Sequence, residues 1–419
     1  MRKPDYDRRV VITGLGVISP VGNDVDTAWS NLVRGNSGIG EITRFDSSPY
    51  EHHAAGEVRN FDEKQWMDFK AARRGERAMH FGVAAAKQAL ANSGLEVTDA
   101  NRTDIGVVFG SGGGGQQLFI DNLQAWATRG PRAVSPFFIA NGLVDSTSGM
   151  IAIETGAIGH NMCVVSACST GTHNIGEAAE TIRRGDCVAV ISGSTESPLL
   201  EVVHIGFGNM RGLGSPRPGE PISTVSRPFD ATRDGFVLGE GAASLILEDL
   251  DHAKARGARI FAEVVGYGSA ADGWDMIQPI DGGVGSARAM QMALDRRGVP
   301  ADEIDLINPH GTSTPLGDKR EAEAIWAVFG EHTRDIAISA TKSMTGHMMG
   351  AAGAFEAFAT VMAIAEQCVP PTINYRDPDP ECDLFIPTQA LSREIRYGLS
   401  NNIGLGGHNG AIIFKRYEG

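Results

Sequence analysis

The chain has 419 residues, 42% hydrophobic and 21% charged, with 53 glycines and a formal net charge of −14. That length exceeds what one core usually occupies, so two core units of ordinary globular composition are predicted. The acidic balance argues against a general nucleic-acid or membrane-surface binder, though not against a local basic patch.

Val10 to Thr13 reads as a strand, followed by Gly14-Leu15-Gly16-Val17-Ile18-Ser19-Pro20. This is a near miss to the dinucleotide-binding glycine pattern, with Ser19 at the third glycine and Pro20 where the phosphate-binding helix should begin. Asp24 or Asp26 can cap a short helix ending near Gly35, and residues 36 to 70 read as loops and short elements. Ala71 to Ser93 is a predicted helix with Ala78, Phe81, Gly82, Ala85 and Ala89 on one side. Ile105 to Phe109 is a strand, and the glycine run Gly110 to Gly115 follows it without a P-loop lysine. Such a run suits a backbone that passes close to a ligand or partner. Pro131 to Asn141 is punctuated by proline, and Val144 to Glu154 reads as a small-residue helix.

An apolar run then breaks at Val164-Val165-Ser166-Ala167-Cys168-Ser169-Thr170-Gly171. Beyond it, Ile175, Ala178, Ala179 and Ile182 keep helical spacing up to Gly185, and Cys187 to Ile191 reads as a buried strand. Cys168 thus falls at an elbow before a helix N-terminus, where the dipole is expected to lower the thiol pKa. The small neighbours leave room for a substrate carbonyl. A buried structural cysteine is the plain alternative. Residues 206 to 235, rich in Gly, Pro, Ser and Arg, read as a long surface excursion. Ala242 to Leu247 is a strand and Asp251 to Gly257 a short helix.

A second series starts at Ile260 to Gly266. It continues with a helix over Gly285 to Gly298, a strand over Ile304 to Asn308 and a helix over Lys319 to Phe329. A strand at Ile336 to Ser339, a helix over Gly350 to Gln367 and two strands around Gly404-Leu405-Gly406-Gly407 complete it. Two runs of alternating strands and helices predict two α/β units with parallel-rich sheets, meeting near residues 250 to 260. The five cysteines, 163, 168, 187, 368 and 382, are scattered without a CxxC spacing. That predicts a reducing compartment with neither disulfides nor a zinc site. Met1 to Arg9 is charged and lacks an apolar signal region, and no apolar stretch reads as long enough to span a bilayer. A cytoplasmic protein without a membrane partner is expected.

His310 follows one predicted strand, in Asn308-Pro309-His310-Gly311-Thr312-Ser313-Thr314, and His347 another, in Thr341-Lys342-Ser343-Met344-Thr345-Gly346-His347. Ligand sites in open α/β sheets lie at the carboxyl ends of strands. A cysteine and two histidines at such ends suit thioester chemistry, with sulfur as acyl acceptor and imidazoles as donors to a carbonyl oxygen or proton carriers. Metal binding is the rival, but the spacing is not that of a zinc motif.

These motifs, with Arg227-Pro228-Phe229-Asp230 and Arg233-Asp234-Gly235-Phe236, resemble the β-ketoacyl-[acyl-carrier-protein] synthases of the thiolase superfamily over nearly the whole chain. The resemblance implies a duplicated α/β fold in five layers, αβαβα, with halves at 1–255 and 256–419, and a homodimer. It assigns Cys168 as the acyl-accepting nucleophile, and His310 and His347 as the pair promoting malonyl decarboxylation. Lys342 and Glu356 would order the site. The backbone N–H groups of Cys168 and Leu405 would form the oxyanion hole, and Thr312 and Thr314 would bind the phosphopantetheine arm. Gly113, Phe138, Ile403 and Leu405 would line or gate the acyl pocket. Leu405 and Gly113 stand where relatives carry Phe and Ile, which predicts a looser channel. Lys70, Arg73, Arg74, Arg77, Arg132 and Arg211 would dock the acyl-carrier protein. No metal or redox cofactor is implied. A polyketide ketosynthase shares these residues, a thiolase would carry a second cysteine in the last turn, and a non-catalytic chain-length subunit would lack Cys168.

Overall fold

The apolar runs of the sequence form ten strands of one sheet in the computed structural model, which describes residues 3–419. The first two positions of the charged Met1–Arg9 segment lie outside the described residues. The strand order falls into two five-strand runs. One runs Asn161–Met162, Ile105–Gly110, Ala189–Glu196, Gly241–Asp249, Val10–Ile18. The other runs Ala337–Ile338, Leu306–Asn308, Tyr397–Gly404, His408–Lys415, Ala262–Ala271. In both, the second strand is parallel to its two neighbours and the later pairings are antiparallel. The runs join where Val10–Ile12 pairs with Ala262–Val264. The sheet is therefore mixed, not parallel-rich as expected. The last two strands, for instance, are joined by the tight Leu405-Gly406-Gly407 reversal, which needs no crossover helix.

Two helices lie between the runs. The helix Thr170–Arg184 packs on strands of both, and so does Ala352–Glu366. Arg77–Ser93 covers the outer face of the first run and Val284–Asp295 that of the second. The stacking is the αβαβα order. Its central position explains one departure from the sequence reading. Met349–Glu366 is apolar and long enough, by composition, to cross a membrane, yet 83% of it is buried. A helix enclosed on all sides by protein carries no polar face.

Both glycine patterns serve packing. The first strand runs straight through Gly14 and Gly16 to Ile18. A Cβ at Gly14 would lie 2.3 Å from the Ala89 carbonyl oxygen, and one at Gly16 2.0 Å from that of Ala85. These glycines let the Arg77–Ser93 helix approach the sheet, and no phosphate turn exists there. In the second pattern the N–H groups of Gly112 and Gly113 donate to the buried Glu196 carboxylate at 2.8 and 3.1 Å, with Ser111 Oγ at 2.7 Å. The run wraps a buried carboxyl of the protein itself.

Asp24 caps Val25–Arg34 through the Thr27 N–H at 2.8 Å, and Gly35 ends that helix with φ 69°. The helix expected over Ala71 to Ser93 is two, Phe69–Arg74 and Arg77–Ser93, broken at Gly75. Gln116–Arg129 is a helix that the sequence pattern did not disclose. Residues 206 to 235 are only partly superficial. Val225 to Asp230 is buried, and the Arg227 guanidinium donates to the carbonyls of Val225 and Thr232 and to Asp234.

Candidate active site

The elbow at Cys168 is built by local polar contacts. Ala167 takes a left-handed φ of 51°, a strained choice for a side-chain-bearing residue. It opens the 3-10 turn Ala167–Ser169, and the helix begins at Thr170. Thr170 Oγ1 donates to the Ala167 carbonyl at 2.7 Å and accepts from the Ser166 N–H at 3.0 Å. Asn174, one turn on, exchanges two hydrogen bonds with the Val164 backbone, each of 3.0 Å. Ser169 Oγ reaches the carbonyls of Asn402 and His408 at 3.0 and 2.8 Å, tying the elbow to the last two strands.

The second series supplies the partners. Glu321, from the helix Pro315–Phe329, accepts the backbone N–H groups of His310 and Gly311, each at 2.6 Å, and so fixes the histidine loop. The His347 N–H donates to the Val237 carbonyl at 2.6 Å, and Phe236 stands edge-on to the imidazole at 5.5 Å. His347 Nε2 lies 3.1 Å from Cys168 Sγ. The two imidazoles are perpendicular, with centroids 5.1 Å apart. Lys342 Nζ bonds Glu356 Oε1, and Asn402 Nδ2 donates to Glu356 Oε2 at 2.7 Å. Thr312 and Thr314 share a hydroxyl hydrogen bond of 3.0 Å.

A cavity of about 350 Å³ opens onto these groups. Cys168, His310, His347, Thr312, Thr314 and Leu405 line it, with Phe207, Phe236, Met349 and Ile403 as apolar wall. Arg211 lines it too.

The electrostatics correct one expectation. Burial pushes the Cys168 thiol up to about 12, and the Lys342 charge and the Leu405 N–H only moderate it. Burial, then Lys342, holds both imidazoles well below the ordinary histidine value. Both shifts run toward the uncharged forms, opposite to the lowered thiol expected from the helix end, and the cost of burying a charge drives them. Among the described residues no cluster of three His, Cys, Asp or Glu has metal-binding geometry.

The family model for the β-ketoacyl synthase N-terminal domain matches residues 7–253, and that for its C-terminal domain matches residues 261–376. The chain belongs to the β-ketoacyl synthase family. It is 44% identical over 413 residues to the 3-oxoacyl-[acyl-carrier-protein] synthase 2 of Staphylococcus aureus strain N315, spanning 98% of this chain and 99% of that protein. The Synechocystis protein of the same name is 45% identical over 412 residues, with coverage of 98% and 99%. A type II polyketide ketosynthase solved with its acyl-carrier protein superposes with a TM-score of 0.90 at 31% identity, covering 99% of this chain and 100% of that one. The Burkholderia phymatum STM815 β-ketoacyl synthase also gives 0.90, at 34% identity and coverage of 98% and 100%.

Within this β-ketoacyl synthase the residues singled out from the sequence separate into two groups. Cys168, His310, His347, Lys342, Glu356, Thr312, Thr314, Ile403 and Leu405 converge on the cavity or its immediate support. Gly113 and Phe138 lie outside the cavity lining. A Cβ at Gly113 would meet Gln116 Nε2 at 2.8 Å and Glu196 Oε1 at 3.3 Å, so the missing side chain leaves no void. Phe138 packs edge-on against Phe119 at 4.6 Å. Lys70, Arg73, Arg74, Arg132 and Arg211 are exposed. Arg77 is not available for docking. Its guanidinium bonds the fully buried Glu240 and the Val58 carbonyl, over the Phe81 ring at 4.6 Å. Such a charge-assisted pair with a desolvated carboxylate is structural. Glu321 and Asn402 went unnoticed in the sequence, because an acid inside a helix pattern and an amide at a strand end carry no local signal.

Proposed function

We propose that the protein condenses an acyl group with malonyl-[acyl-carrier protein], losing carbon dioxide and giving a 3-oxoacyl-[acyl-carrier protein] two carbons longer. The observation that carries this reading is the placement of one thiol and two imidazoles on one cavity beside a pair of threonine hydroxyls. In the first stage the Cys168 sulfur adds to the acyl thioester carbonyl while its proton passes to His347 Nε2. The N–H groups of Cys168 and Leu405 hold the resulting oxyanion. The carrier thiolate leaves and takes up the proton. In the second stage the bond between the malonyl methylene and its carboxylate breaks, and the electron pair forms an enolate whose oxygen faces His310 and His347. The enolate carbon attacks the acyl-enzyme, and Cys168 departs as a thiolate and takes up a proton from solvent, the one proton the overall reaction consumes. Lys342 and Glu356 hold the charge balance behind the histidines, and Thr312 and Thr314 hold the phosphopantetheine arm. The chemistry needs no metal or redox cofactor, because loss of carbon dioxide supplies the nucleophile.

The acyl-carrier protein is the proposed partner, with Lys70, Arg73, Arg74, Arg132 and Arg211 as its docking cations. A second copy is the proposed cover for the exposed apolar side chains Phe119, Leu123 and Trp126 of Gln116–Arg129. The matching strand order of the two runs supports halves divided at 255/256. Fatty acid elongation is preferred to polyketide synthesis because the synthase 2 relatives are 44–45% identical and the polyketide ketosynthase 31%. Incubation with malonyl-carrier and a ladder of acyl-carriers, read by mass spectrometry, tests this. Products two carbons longer than each primer are expected. Unchanged primers alongside decarboxylated malonyl-carrier would contradict condensation.

A further inference from the structure

We propose that Asn402 is a positioning residue that decides which nitrogen of His310 carries the proton; the inference rests on the condensing reaction above. Asn402 is fully buried at the end of the strand Tyr397–Gly404, and each of its side-chain atoms is committed. Its Oδ1 accepts from the Thr172 hydroxyl. One hydrogen of Nδ2 goes to Glu356 Oε2 at 2.7 Å, and the other points to His310 Nδ1 at 3.3 Å. The amide cannot profitably turn over. A flipped Oδ1 would face Glu356 Oε2, and an ionised carboxylate is acceptor-only. Burial raises that carboxyl, and the bond from Lys342 Nζ to its other oxygen opposes the shift by favouring the ionised form.

An amide N–H at His310 Nδ1 requires a lone pair there, so the ring proton sits on Nε2. Among the described residues His310 Nε2 has no protein hydrogen-bond partner, and His310 lines the cavity. The arrangement thus presents a fixed N–H donor to a substrate oxygen. His347 is built differently. Its Nδ1 is buried and has no partner among the described residues, so its tautomer answers only to the Cys168 sulfur at Nε2. It can accept the thiol proton in one stage and donate in the next. Lys342, Glu356, Asn402 and His310 form one chain whose last link is a proton position.

The test reads that position without substrate. In protein labelled with ¹⁵N-histidine, the His310 signal, assigned by its loss in His310→Ala, is expected to show a protonated Nε2 and a bare Nδ1. Asn402→Asp places an acceptor at Nδ1 and should move the proton there. Thr172→Val keeps the side-chain shape and frees Oδ1, but Glu356 still holds Nδ2, so the wild-type tautomer should persist. Release of carbon dioxide from a malonyl thioester should fall about 10²-fold or more in Asn402→Asp, the usual effect of losing one oxyanion donor. Acylation of Cys168 should stay within a few-fold. A wild-type ring protonated on Nδ1 overturns the proposal, as does an unchanged tautomer in Asn402→Asp. Equal loss of acylation and decarboxylation also overturns it and assigns Asn402 to the fold. A wild-type ring protonated on Nε2 in a protein that releases no carbon dioxide would support the positioning and sink the reaction instead.

Discussion

His347 Nε2 lies 3.1 Å from Cys168 Sγ, and burial shifts both groups toward their uncharged forms. The thiol is pushed up to about 12, so the thiolate fraction at neutral pH is small and grows with pH throughout the working range. Alkylation by iodoacetamide should therefore be slow near neutrality and rise steadily from about pH 6 to 9, the range around the ordinary thiol value. A plateau already reached below about pH 7 would restore the helix-stabilised thiolate.

The two histidines should fail differently. His310 is fixed by Glu321 and Asn402, whereas His347 touches the Cys168 sulfur. His310→Ala should lower carbon dioxide release about 10²–10³-fold and spare Cys168 acylation. His347→Ala should damage both stages. Single-turnover acylation and carbon dioxide release, measured separately, check this. Equal behaviour of the two variants would erase the division of labour.

Carrier docking is a question of local charge, since screening limits the reach of the overall −14. Arg73 and Arg74 are exposed at the end of Phe69–Arg74, with Arg74 over the Phe137 ring at 4.0 Å. Reversing both charges should raise KM for acyl-carrier, more so at low salt, and leave turnover of an acyl-pantetheine thioester almost unchanged. If both substrates suffer alike, these residues serve the fold.

Acid stability should depend on Glu248. Burial alone would raise its carboxyl, but hydrogen bonds from Arg256, His252 and Thr13 overcome that and hold it at about 2, against an ordinary 4.5. A depressed value means stability present above about pH 4.5 and lost as pH falls toward 2, worth about 3 kcal/mol. Glu248→Gln should cost about 3–5 kcal/mol at neutral pH by stranding Arg256. The gap in urea midpoint between wild type and variant should close on acidification. A constant gap would place the effect in packing.

Much of this was legible in the sequence where one residue type announces one local job. Gly35 and Gly185 stopped their helices, and Cys168 marked the elbow. The failures share a cause. Gly14 and Gly16 fell short of a dinucleotide pattern and Gly112 suggested close approach to a ligand or partner, but what they approach, the Ala85 and Ala89 carbonyls and the Glu196 carboxyl, lies far along the chain. Arg77 shared a helical spacing with docking cations, yet Glu240 claims it across the fold. Gly113 suggested an open channel, and Gln116 fills the space. The thiol pKa was misjudged because burial, which dominates it, is a tertiary property.

The central claim is that Cys168 carries the acyl group between the two stages. Incubation with an acyl-carrier thioester, followed by proteolysis and peptide mass mapping, tests it most directly. One acyl adduct is expected, on Cys168, discharged when malonyl-carrier is added. An adduct mainly on Cys163 or Cys187, or one on Cys168 that malonyl-carrier fails to discharge, would contradict it.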